Sequence, residues 1–273
     1  MSFLRLKQRK LFLVFLAALL VGTWYFLRTP SNTREWSPDQ NVLAYAEFNN
    51  DSVTIFNIRN FTYTSIDEYA PAYYTKTFNV NSLKSVDYIV EPFGNIGAAH
   101  TFLSFGFENG DYVAISVEIR KEIDELFSPL KGLLRNYELM YVIADERDAV
   151  KLRTNYRKDT VYLYPVTTSK ENIQRLFTDM LTRANTLRAQ PEFYNTLTNT
   201  CTTNIADHIN NISPKRIPWD LRLLFPENSD ALAYELGLID TSMPIDDLRS
   251  QHKINARAEL YAESPDFSKL IRQ

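Results

Sequence analysis

Cys201, the only cysteine in the chain, sits where a polar, turn-forming run from Asn195 to Thr200 gives way to an apolar-periodic segment carrying Ile205, Ala206, Ile209 and Ile212. That order predicts a helix to about Asn211 with the thiol in its first turn and Asn199 or Thr200 as N-cap. A sulfur there faces unpaired backbone N–H groups and the positive end of the helix dipole. Both favour the thiolate, which is the nucleophilic form. The competing reading is a small buried hydrophobe, the usual role of a lone cysteine. The Thr and Asn neighbours are not those of a core position.

A cysteine nucleophile needs a base, and histidine is the usual one. His100 opens an alternating strand beside Gly97, Ala98 and Ala99, small residues that leave room for another group. His208 lies about 10 Å from Cys201 along the same helix, too far for a direct hydrogen bond. His252 falls in the polar tail. Geometry therefore favours His100, against the alternative of a satisfied strand histidine. A third group would hold the imidazole in one tautomer. Glu118 is the candidate if a three-residue loop brings position 118 opposite position 100, and Ser116 is next. A one-residue slip would turn Glu118 to the other face, where it reads as a solvated strand end. Oxyanion donors are sought in the backbone N–H of Cys201 and in the nearby side chains of Asn199 or Asn195. The three histidines are dispersed, and no H-E-x-x-H or C-x-x-C occurs, so no metal site is expected. Only seven glycines and no G-x-G-x-x-G or Walker pattern argue against a nucleotide cofactor, and none is expected.

These residues need elements to hold them. Residues 99–107 alternate with period two, Glu108-Asn109-Gly110-Asp111 is a turn signal, and residues 112–119 return as partner strand. Further strands are predicted over 52–58, 86–90, 138–144 and 160–165. Residues 145–156 read as a charged helix or turn, its acidic start a solvated one. Thr168-x-x-Glu171 has capping-box spacing. It precedes an amphipathic helix with Ile173, Leu176, Phe177, Met180, Leu181, Ala184 and Leu187 on its core face. Pro214, Pro218 and Pro226 mark an extended crossing segment, and the charged tail from Pro244 reads as helical. Strands precede helices in blocks, so the class is α+β with a mainly antiparallel sheet.

The N-terminus sets the compartment. Arg5, Lys7, Arg9 and Lys10 precede an uncharged run of 17 residues, 11–27, closed by Trp24, Tyr25 and Arg28. That is the short end of what spans a bilayer, with aromatics at the interface position. A cleaved signal peptide is the alternative, but no A-x-A-like site follows. The expected organisation is an anchor over 1–28, a linker over 29–41, a domain over 42–243 and a helical tail over 244–273. The basic flank predicts a single pass with the N-terminus inside and the body outside the cytoplasm. A net charge of −3 and the lack of a basic stripe give no reason to expect nucleic acid. The membrane is the one partner that the pattern itself names, and nothing sets an oligomeric state.

Several motifs carry a family resemblance. They are Asn57-x-Arg59-Asn60-Phe61-x-Tyr63, Ala99-His100-Thr101-Phe102-x-Ser104-Phe105, Ser116-Val117-Glu118-Ile119-Arg120-Lys121-Glu122, Tyr137-Glu138-Leu139, Asp145-Glu146-Arg147-Asp148 and Tyr194-Asn195-Thr196-x-x-Asn199-x-Cys201-Thr202. Together they resemble the domain of unknown function now called the Lnb N-terminal periplasmic domain, over about Trp36 to Asp240. Lnb-type proteins are implicated in lipoprotein N-acylation. The resemblance implies an inner-membrane protein with its domain in the periplasm. It also implies a circularly permuted papain-like fold of the lecithin:retinol acyltransferase-like and NlpC-like kind, where the histidine strand precedes the cysteine helix. Carried onto this chain, it makes Cys201 nucleophile, His100 base and Glu118 orienting group, with a phospholipid or lipoprotein substrate. Longer members carry further membrane spans after the domain, whereas this chain ends in the charged tail. The function expected is a membrane-anchored, thiol-dependent acyltransferase working through a thioester. The alternatives are a cysteine peptidase or amidase on cell-wall peptide, and a non-catalytic envelope module.

Overall fold

The computed structural model describes residues 2–94, 97–213 and 217–273. Pro214 of the expected crossing segment lies outside them. Helix α1 (Ser2–Leu27) contains a stretch, Lys7–Leu27, long and apolar enough to cross a membrane, none of whose described side chains is fully buried.

The body is a mixed sheet with helices on both faces. Its strands are β1 (Tyr45–Asn49), β2 (Ser52–Arg59), β5 (Tyr73–Asn79), β6 (Leu83–Pro92), β7 (Ala99–Phe107), β8 (Tyr112–Arg120), β9 (Glu138–Ala144) and β10 (Tyr162–Pro165). The order across the sheet is β1-β2-β9-β8-β7-β6-β10, with β5 also on β2. Among the described residues all ladders are antiparallel except a single parallel pairing, Arg59 with Ala144. The short strands β3 (Thr62–Tyr63) and β4 (Tyr69–Ala70) pair with each other. The helices are α2 (Pro129–Leu133), α3 (Glu146–Lys151), α4 (Lys170–Ala189), α5 (Cys201–Ile212), α6 (Ser229–Glu235), α7 (Ile245–His252), α8 (Asn255–Leu260) and α9 (Phe267–Leu270). A π-helical turn, Leu152–Arg157, extends α3.

Period-two alternation sorts the strand side chains to two cores. On β9, Leu139, Tyr141 and Ile143 join the core under α4 and α5, while Met140, Val142 and Ala144 join the core under α3, α8 and α9. Because both faces are covered, the whole of β9 is buried. The predicted stripe on α4 is its buried face, residue for residue. Its cap lies one position later than expected: Ser169, not Thr168, accepts from Asn172 N. The Thr168 hydroxyl instead receives the Asn172 side chain.

The second core also carries buried charge. Asp87, Glu91, Ser104, Ser116 and Glu146 are buried on this side. Arg272 reaches in from beyond α9 to Asp87 and Glu146. The polar tail thus closes the second face, with Ile254, Ala258, Phe267 and Ile271 among its buried residues. Residues 29–41, read from composition as a linker, also pack on the body. Trp36 is buried against the Arg120 guanidinium, which bonds Asn32 and the Gln40 carbonyl.

Candidate functional site

Strands β7 and β8 are joined by the turn expected at Glu108-Asn109-Gly110, with Gly110 in the left-handed region that such a loop requires. Their register puts Phe102 opposite Ser116, and there the ladder stops. Outward from that point β7 stays on β6 as far as Ala99, and β8 stays on β9 as far as Arg120. The sheet therefore forks between β7 and β8. His100, Ser116 and Glu118 project on the same side of it, because they follow the alternation of Phe102 and Ala114.

The N-terminus of α5 meets this fork. Thr200 caps the helix reciprocally: its hydroxyl accepts from Thr203 N, and its own N–H donates to the Thr203 hydroxyl at 2.8 Å. Cys201 is the first helical residue and half-buried, with the His100 side chain and the Thr101 backbone N–H close enough to lower its pKa. The Thr202 hydroxyl stands 3.6 Å from its sulfur and is held by Thr101 Oγ1 at 3.0 Å.

His100 Nε2 lies 2.6 Å from Ser116 Oγ and 3.1 Å from Glu118 Oε1, and Ser116 Oγ donates to the same carboxylate oxygen at 2.7 Å. The imidazole stacks near-parallel on Phe102. Behind Glu118 stands Arg153 on the π-helical turn. Its Nη2 donates to Glu118 at 2.9 Å, its Nε to Glu91 at 2.6 Å and its Nη1 to the Ala149 carbonyl. A chain of charge runs from the sulfur through His100, Glu118 and Arg153 to Glu91.

The protonation equilibria follow this chain. Burial alone raises the Cys201 thiol, but hydrogen bonding and positive charge from His100, with the Thr101 N–H and Thr202 hydroxyl, lower it to about 7. Burial alone lowers His100, but the Glu118 charge and the bonds to Cys201 and Glu118 raise it to about 10. Burial disfavours the Glu118 carboxylate too. His100 and Arg153 outweigh it and hold the group well below the usual range. Above about pH 7 these shifts favour thiolate beside imidazolium.

Asn195 and Asn199 both brace the loop before Cys201. Asn195 Oδ1 accepts from Leu197 N and Thr198 N, and Asn199 Nδ2 donates to the Phe193 carbonyl. Asn204 Nδ2 clamps both Asn199 Oδ1 and the Thr200 carbonyl at 2.8 Å. His208 sits in a buried cluster with Tyr141 and Asp179, where burial lowers it in spite of Asp179. His252 bonds the Leu163 carbonyl.

Sequence reasoning passed over Arg153 and Glu91. A carboxylate following the apolar run Tyr88-Ile89-Val90 was the available signal, since a buried charge needs a partner. It also passed over Tyr194, which packs against the core beside Cys201. Burial, with the Cys201 and Glu118 charges adding to it, raises the Tyr194 hydroxyl and keeps it a donor.

An apolar cavity runs along the adjacent face of α5. Ile205, Ile209 and Ile212 line it with Leu223 and Leu232, and Thr202 is at one end. Its volume is about 80 Å³.

Neither a curated protein nor a solved structure shows similarity to the chain. A family model, described as the Lnb N-terminal periplasmic domain, matches residues 69–227. The span is narrower than the resemblance read from sequence and starts beyond the Asn57–Tyr63 motif, but it covers more than half the chain and includes His100, Glu118 and Cys201. This chain belongs to the family of Lnb N-terminal periplasmic domains.

Proposed function

We propose that the protein is a membrane-anchored periplasmic acyltransferase that works through a Cys201 thioester, on a fold of the circularly permuted papain-like kind. The observation that carries the reading is the position of His100, which contacts Ser116 and Glu118 and stands near enough to the Cys201 sulfur to draw its pKa down. Nε2 faces Ser116 and Glu118, which leaves Nδ1 for the sulfur.

The Cys201 thiolate attacks the carbonyl of a phospholipid ester. Charge developing on that oxygen is met by the Cys201 backbone N–H, unpaired at the helix start, and by the Tyr194 hydroxyl. The imidazolium gives its proton to the leaving alkoxide, and a thioester remains on sulfur. An amine then attacks the thioester, His100 accepts the proton, and the thiolate leaves. Glu118 keeps its charge throughout and holds the ring, as the carboxylate of a catalytic triad does. Arg153 fixes Glu118 in turn. The lipoprotein N-terminus is the acceptor that the family suggests, and the apolar cavity along α5 supports a lipid donor.

In this reading α1 spans the inner membrane once with its basic end in the cytoplasm. The full chain is incubated with phospholipid vesicles and analysed by mass spectrometry. A hydroxylamine-labile acyl adduct on Cys201, lost in Cys201→Ser, is the expected result. No adduct under these conditions, together with Cys201-dependent cleavage of muropeptides, would replace this reading with hydrolysis of cell-wall peptide by the same pair. Full complementation of a deletion strain by Cys201→Ala would leave a binding module instead.

A further inference from the structure

We propose that the exposed apolar edge formed by Ile123, Leu126, Phe127, Leu130 and Leu197 lies against the bilayer that holds α1, so that the loop entering the Cys201 helix faces lipid. The inference rests on α1 crossing the membrane and not on the chemistry at Cys201.

The edge is strongly exposed. Leu126 is 79% accessible, Leu130 63%, Ile123 52%, Leu197 51% and Phe127 47%. Five large apolar side chains gathered on one rim are unusual for a surface facing only water. What covers them is indicated by the end of α1. Arg135, two residues beyond the end of α2, is held in the left-handed region, a conformation uncommon outside glycine. From there its Nη1 donates to the Tyr25 carbonyl at 3.3 Å, and its guanidinium lies 4.2 Å from the Tyr25 ring. Arg28 and Arg135 both lie over the Phe193 ring, at 6.0 and 5.8 Å from its centroid. The chain then rejoins the body almost at once: Ser31 N donates to Glu138, and the Asn32 side chain donates to the Leu187 and Arg188 carbonyls. Too few residues separate helix and body for the body to turn away from the surface that α1 leaves.

The apolar edge belongs to this same corner. Ile123 N donates to the Glu35 carbonyl, and Ser37 N donates to that of Lys121, so the segment is stitched to the chain leaving α1. Thr196 Oγ1 donates to the Pro129 carbonyl, and Tyr194 and Thr196 both pack closely over Gly132. The loop before Cys201 is therefore fastened to the edge. Trp24 and Tyr25 mark the interfacial depth, and Lys131 and Arg135 beside the edge suit anionic headgroups.

The test uses the full chain in the Cys201→Ser background, reconstituted into phosphatidylcholine–phosphatidylglycerol vesicles. A nitrobenzoxadiazole probe is placed by Leu126→Cys, by Leu130→Cys or, at the far hairpin tip, by Asn109→Cys. The expected result is blue-shifted emission at 126 and 130, quenched by lipids carrying nitroxide on the acyl chain, with solvent-like emission at 109. Three sites that behave alike would overturn the proposal. So would probes at 126 and 130 shielded from aqueous iodide yet untouched by nitroxide lipid, which would mean a protein covers the edge. Catalysis is absent from this background, so failure here leaves the acyl-transfer reading standing, and failure to find an adduct leaves this one.

Discussion

His100 Nε2 lies 3.1 Å from Glu118 Oε1 across a gap where their strands have stopped pairing. Were the ladder continued, its hydrogen bonds would hold the two strands together where the α5 N-terminus now enters. The fork is what lets a helix end, a strand imidazole and a strand carboxylate share one site, and it makes the protonation state of Cys201 depend on residues far away in sequence.

The thiol of Cys201 should titrate at about 7. Thiolate is present above that pH and is lost as pH falls through it. Iodoacetamide alkylation of the full chain should reach half its plateau rate near neutrality. In His100→Ala the imidazolium is gone while burial, which opposes the thiolate, remains. The profile should move above that of an ordinary thiol, and the rate at pH 7 should drop roughly tenfold or more. An unchanged profile would separate His100 from the sulfur.

Glu118→Gln keeps the size and removes the charge that holds the proton on His100. The imidazole should lose its proton at lower pH, and the thiolate should lose its counter-ion over the same range. Alkylation at pH 6 to 7 should therefore fall, while the rate at pH 10, where the thiolate forms unaided, should change little. A uniform loss across pH would point to a collapsed site. Arg153→Met takes from Glu118 the guanidinium that fixes it and leaves buried Glu91 with Arg157 alone at 3.5 Å, so it should cost stability as well as perturb the Cys201 profile.

The cap of α5 has a separate role. Thr200→Val removes the hydroxyl that accepts from Thr203 N while keeping the shape. The expected loss is about 1 kcal/mol of stability, read as a lowered thermal midpoint in detergent. The Cys201 alkylation profile should broaden or move up, because the sulfur would no longer sit on a fixed helix start.

Much of the framework was legible because burial imposes periodicity. The alternation over 99–107, the Asn109-Gly110 turn and the seven-residue stripe on α4 each have one face to satisfy. Cys201 at a helix start and His100 on a strand were legible for the same reason. What brings them together was not, since the fork depends on where one ladder ends, and no local pattern states that. Arg153 was hidden because a charged run reads as a solvated helix, and only the fold puts a π-helical turn under the second face. Asn195 and Asn199 were singled out by proximity to Cys201, and what the sequence did not state is that Asn195 Oδ1 and Asn199 Nδ2 also brace the tight loop before it. Residues 29–41 looked like a linker by composition, and it is Arg120, far along the chain, that folds them down.

The tail offers the sharpest test of stability. Arg272, one residue from the chain end, carries the cation between Asp87 and Glu146, which are buried on β6 and at the start of α3. Arg272→Ala leaves both carboxylates without it. The expected cost is about 3 to 5 kcal/mol. Arg272→Lys should recover part of this, because one ammonium cannot make the forked contacts of a guanidinium. Burial already raises the Asp87 carboxyl despite Arg272, and removing the arginine takes away the influence that opposes it. A folded-state pKa above the unfolded value means the native form binds the proton more tightly, so its stability falls as pH rises through that window. The deficit of Arg272→Ala should be largest at neutral pH and should shrink as pH drops toward the ordinary carboxylate range. Thermal melts of the full chain in detergent between pH 5 and 8 measure it. A deficit independent of pH would show that α9 contributes packing alone, and no deficit at all would show that the tail is dispensable to the second core.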